Sequence, residues 1–151
     1  MQLSTVLIDA LDPVLARLPE GDLELVVELV VLIAAADRKI DPAERDALRA
    51  ALEKIVGSRL SPIAVQTLIA GALTRFRAAG GEAYARQVGK ELAARGAAEH
   101  GYRVAAVVAL ASEDISPEEK NYLVIYAEAA GISRERRLAL EAELERALAT
   151  R

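Results

Sequence analysis

Seven carboxylates stand in two short clusters. Asp37, Asp41 and Glu44 form the first; Glu113, Asp114, Glu118 and Glu119 form the second. Oxygen ligands crowded on a short loop suit a hard divalent cation, so either cluster could hold Ca²⁺, Mg²⁺ or Mn²⁺. The same residues have a second reading. In Asp41-Pro42-Ala43-Glu44 an acceptor sits where a helix would begin, proline takes the first helical position and Glu follows at the third. Ser116-Pro117-Glu118-Glu119 repeats the arrangement. Such a box satisfies orphan amides and complements the helix dipole, contributing about 0.5–2 kcal/mol per cap with no ligand. Capping accounts for Glu44 and Glu119. It accounts least for Asp37, which is therefore the best single candidate for a functional carboxylate. The loops are not EF-hands, because D-x-D-x-D-G-x5-E is absent.

Other chemistry is sparse. There is no cysteine, hence no disulfide, thiolate metal site or Cys nucleophile. The single histidine, His100, lacks a Glu-x-x-His partner, so a di-iron bundle site fails and a partly exposed helix residue is expected. Gly80-Gly81 and Gly89 form no phosphate loop, since no strand precedes them and no G-K-[ST] follows. Tyr84, Tyr102, Tyr122 and Tyr126 are expected in the core or at its edge. Arg134, Arg136 and Arg137 gather where the last helix starts, an unfavourable place against its dipole. They read either as a solvated face interleaved with Glu135 and Glu141, or as a contact for an anionic partner. No nucleophile–base pair or cofactor fingerprint is present, so a non-enzyme is expected.

The elements that must position these residues are helices. Hydrophobic residues make up 53% and charged residues 28% of 151 positions, a globular balance. Aromatics are only 3%, so aliphatic side chains must fill the core. Cap residues and glycines mark eight runs: 3–17, 22–36, 42–56, 62–78, 82–95, 98–112, 117–130 and 134–149. No period-2 segment is bounded by turn residues, so no strand is expected. Leu23–Ala36 and Tyr102–Ala111 are apolar almost all round and must be wrapped by the others. The stretch Leu23–Ala36 is too short to span a membrane, and Glu28 interrupts it. The N-terminal segment has no positive region and carries Asp9 and Asp12, so no export signal is read and a cytoplasmic location is expected. A net charge of −4 argues against nucleic acid as the main partner.

The chain repeats itself. LIAAADRKIDPAERDAL, Leu32 to Leu48, lies over VALASEDISPEEKNYL when Ala36 meets Ala111, an offset of 75 (111 − 36). Ile40 then meets Ile115, Pro42 meets Pro117, Glu44 meets Glu119 and Leu48 meets Leu123. One domain over residues 1–151 is expected, its halves at about 20–78 and 98–149.

The pattern Ala-Asp-x-x-Ile-Asp-x-x-Glu, Ala36 to Glu44, after an apolar helix resembles the ADGxIxxxE signature of the TerB-like family. That family includes the tellurite-resistance protein TerB and the N-terminal domain of a membrane-anchored DnaJ-like co-chaperone. Ala111 to Glu119 fits the family's second half, and the resemblance covers roughly residues 20–145. It implies an all-α bundle of seven to nine helices with pseudo-twofold halves. It also implies a non-catalytic, stress-associated binding module acting through a protein partner, with an acidic surface sometimes linked to metal ions. Arg38 and Glu113 stand at the family's glycine, Lys39 follows the first, and Ser112 replaces Asp37 in the second copy. The two halves are therefore expected to contribute differently to whatever is bound.

Overall fold

The computed structural model describes residues 15–36, 42–111 and 117–149. Within them lie seven α-helices and no strand: α1 (Glu20–Ala34), α2 (Pro42–Val56), α3 (Pro62–Ala79), α4 (Gly81–Ala94), α5 (Ala98–Ala111), α6 (Pro117–Ala129) and α7 (Arg134–Ala149). A 3-10 turn at Gly57–Arg59 joins α2 to α3. Each matches an expected run to within two residues, apart from the first run (3–17), most of which lies outside the described residues. The expected all-α class holds.

The boundaries follow local chemistry. Ser61 caps α3 by accepting from the Ala64 amide at 3.1 Å, with Pro62 behind it. Ser133 does the same for α7, accepting from the Arg136 amide at 3.1 Å. Gly131, at φ +77°, ends α6: its amide reaches the Glu128 carbonyl while the Ile132 amide reaches that of Ala127. This double bond pattern needs a left-handed residue, which glycine supplies without a Cβ clash. Ile132 is then buried against the core. α1 starts at Glu20, two residues early, because Pro19 opens it without a side-chain cap and Glu20 and Asp22 complement its dipole.

α1 and α5 pack on each other at the centre, as their all-round apolarity requires. Every residue of α1 from Leu25 to Ile33 is buried. α2, α3, α4 and α6 all lean on α1; α4, α6 and α7 lean on α5. The closest pairing is α4 with α6. A Cβ placed on Gly89 would stand 2.8 Å from the Tyr126 carbonyl oxygen, so glycine permits that approach. Tyr84, Tyr102 and Tyr126 fill the core as expected, and Tyr122 sits at its edge, edge-on to Phe76 at 6.2 Å.

Among the described residues, two acids are buried with the apolar ones. Glu28, 5% exposed in mid-α1, accepts from the Tyr84 hydroxyl at 3.1 Å and is paired with the Arg75 guanidinium. Asp22, also 5% exposed, pairs with Arg95 at 3.2 Å. Glu28 and Arg103 hold the same place in the two repeats (103 − 28 = 75), on α1 and α5. Arg103 is half-buried and faces Glu143 at 3.5 Å and Glu99 at 3.9 Å.

Candidate functional site

The acidic clusters come first. Asp37, Asp41, Glu113 and Asp114 lie outside the described residues, as does the side chain of Glu44. Pro42 and Pro117 open α2 and α6 at the first helical position, where the capping reading places them. That puts Glu44 and Glu119 at the third position of their helices. Glu118 is exposed, and its charge adds to the burial that raises the Tyr122 pKa. Glu119 is half-buried and engaged. Among the described residues, no three His, Cys, Asp or Glu side chains gather closely enough to hold a metal ion.

In the basic cluster at 134–137, Arg134 and Arg136 are exposed and Arg137 is half-buried, and the last two are paired with carboxylates. Arg136 grips Glu99 in a two-pronged pair, Nε to Oε2 at 2.9 Å and Nη2 to Oε1 at 2.8 Å. The hydrogen bond from Arg136 lowers the Glu99 pKa. Arg137 faces Glu141 at 3.5 Å. Arg136 thus ties α7 to α5, while the Arg137 pair runs along α7 itself. His100, on the first turn of α5, is partly exposed as expected, yet its Nδ1 is buried without a hydrogen-bond partner. Burial, then the charges of Arg103 and Arg17, lower its pKa.

The concave site that sequence reasoning missed lies between α5, α6 and α7. It is a groove of about 290 Å³. Tyr102 and Ala106 from α5 form its floor, Lys120, Leu123 and Val124 from α6 one wall, and Arg137, Glu141 and Glu145 from α7 the other. α7 packs on α5 and buries only Leu140 and Leu144 among its described side chains, so the space beside α6 stays open. The α7 sequence hints at this, since polar residues run round most of it.

Three of the groove's polar groups satisfy one another. The Tyr102 hydroxyl donates to Glu141 Oε1 at 2.6 Å, and Arg137 balances that carboxylate. Burial, then the bond to Glu141, push the Tyr102 pKa far above its ordinary value of 10.0, so the phenol keeps its proton. This is an anchored wall with a charged rim, not an activated nucleophile beside a base.

A smaller groove of about 190 Å³ is lined by Arg45, Asp46, Arg49, Gln66 and Ile69, where α2 meets α3. Arg49 is held there by Glu53 at 3.2 Å and Asp46 at 3.9 Å. Part of its lining follows the repeat: Arg45, Arg49 and Gln66 hold the places of Lys120, Val124 and Glu141.

These features define an all-α bundle wrapped around two central apolar helices, with a groove in each repeat. The family model described as "Tellurite resistance protein TerB" matches residues 18–142, and the chain belongs to that family. No curated protein matches the chain, and no solved structure does. No described helix is long and apolar enough to cross a membrane.

Proposed function

We propose that this chain is a non-catalytic binding module that acts in the cytoplasm through a protein partner, in a stress setting such as its family's name describes. The α5–α6–α7 groove carries this reading. Its apolar floor, its charged rim and its mutually satisfied Tyr102, Glu141 and Arg137 suit the burial of a partner side chain, and supply no poised acid or base. A photo-crosslinking residue at Val124 tests it in cells grown with and without tellurite. The expected result is one protein adduct that is lost with Lys120→Glu at the rim and with Ala106→Trp in the floor. No adduct, or an adduct indifferent to both changes, overturns it.

The acidic corners support a second reading, a divalent-cation sensor built on Asp37, Asp41, Glu44, Glu113, Asp114, Glu118 and Glu119. Its support is the recurrence of carboxylates at the same helix–loop–helix corner in both repeats. Calorimetric titration with Ca²⁺, Mg²⁺ and Mn²⁺ should show binding that Asp37→Asn weakens. Silence, or heat unchanged in the variant, removes this reading.

A further inference from the structure

Among the described residues, two large aliphatic side chains stand exposed: Ile63 at 75% and Leu138 at 48%. Single exposed aliphatics are ordinary. The positions of these two are not, because they are repeat equivalents (138 − 63 = 75). Each lies in the first turn or two of its helix, Ile63 as the second residue of α3 and Leu138 as the fifth of α7. Each also lies three residues before a groove-lining residue on the same helix face, Gln66 and Glu141 respectively. Each half therefore presents a groove with an exposed aliphatic residue one helical turn before it on the same helix, itself outside the groove lining.

What the grooves share selects the occupant. Both carry an exposed cation at one repeat position, Arg45 and Lys120, and neither cation has an ion-pair partner among the described residues. The carboxylates are not shared: Asp46 corresponds to Asn121, Glu141 to Gln66 and Glu145 to Ala70. A ligand using both grooves meets apolar contact and a positive charge twice. Grooves between helices accept an amphipathic helix by its apolar stripe.

We propose that the two grooves form a duplicated docking surface for acidic amphipathic helices of a protein partner. The aliphatic stripe of each packs on Ile63 or Leu138, and its flanking carboxylates meet Arg45 or Lys120. The α5–α6–α7 groove, with the larger volume, is the tighter site. This rests on the protein-binding reading above and adds the partner's chemistry.

The test uses the full chain and a fluorescent designed peptide, with leucines at i, i+3, i+4 and i+7 flanked by glutamates. A matched peptide carries lysines in their place. Fluorescence anisotropy should show the glutamate peptide binding at two unequal sites and the lysine peptide not binding. Leu138→Ser and Lys120→Glu should each weaken the tighter site about tenfold or more, and Ile63→Ser only the weaker one. These side chains are exposed, so folding of the variants is expected and circular dichroism checks it. The inference is overturned by equal binding of the lysine peptide, by no loss in the Ile63→Ser, Leu138→Ser double variant, or by self-association in light scattering that this double variant abolishes. An unbound glutamate peptide alongside a persistent Val124 adduct overturns the acidic-helix inference alone. Loss of both overturns the protein-binding reading as well.

Discussion

Glu28 shows how a single residue shapes the core. A carboxylate in mid-α1 is costly to bury unless it is paired and hydrogen-bonded. Arg75 from α3 and Tyr84 from α4 supply that pairing, so three helices are tied at one point. The arrangement also fixes the tyrosine: burial pushes its pKa up to about 12. Arg75 is about half exposed, so solvent screens part of the attraction. Arg75→Ala is expected to lower stability by about 1–3 kcal/mol, chiefly because Glu28 is left buried with one partner. Urea denaturation should show a lower midpoint, and replacing Glu28 and Arg75 together by leucine should recover much of the loss. Neither partner was legible in the sequence. Arg75 lies 47 residues from Glu28 and Tyr84 lies 56, and no local pattern links them. The functional carboxylate favoured on sequence, Asp37, lies outside the described residues.

At the scale of elements, the helices were legible because their ends carry their own chemistry. Ser61-Pro62, Ser133 and Gly131 act within a few residues of themselves, so sequence order suffices to read them. The α4–α6 contact was not legible. Gly89 in mid-helix normally signals weakness, and alanine there would gain about 1 kcal/mol of helix propensity. The tertiary contact reverses that sign. With a Cβ only 2.8 Å from the Tyr126 carbonyl and 3.1 Å from the Ala129 methyl, α4 and α6 must part. Gly89→Ala is therefore expected to destabilise by about 1–3 kcal/mol, the usual cost of overpacking. Thermal unfolding checks it; a raised melting temperature would show that propensity wins. The groove escaped sequence reading for a related reason. It exists because α7 settles on α5, and nothing within α7 states which neighbour it chooses.

For the whole molecule, pH dependence joins several of these contacts. His100 is held neutral, its pKa lowered below the ordinary 6.5 by burial and by Arg103 and Arg17. On acidification the unfolded chain takes up this proton first. Stability should fall as pH drops through 6.5 and keep falling until the folded-state pKa is passed. Glu99 works in a separate window. Its pKa is lowered by Arg136, so its contribution is present above 4.5 and is lost as pH falls from there through its folded value. Melting temperatures measured between pH 8 and pH 5.5 should show the first step, and His100→Gln should flatten it while leaving the acid-side loss in place.

The repeat gives the molecule its plan, but Glu28 and Arg103 show that the copies have parted company. Equivalent places on the two central helices now hold opposite charges, each answered by counter-ions peculiar to its own half. Arg103→Glu, which puts the first repeat's residue into the second, would set a carboxylate facing Glu99 and Glu143 rather than an arginine. Whatever duplication produced this chain, each copy now carries its own central ion pair, and a charge from one cannot be exchanged singly for its counterpart in the other.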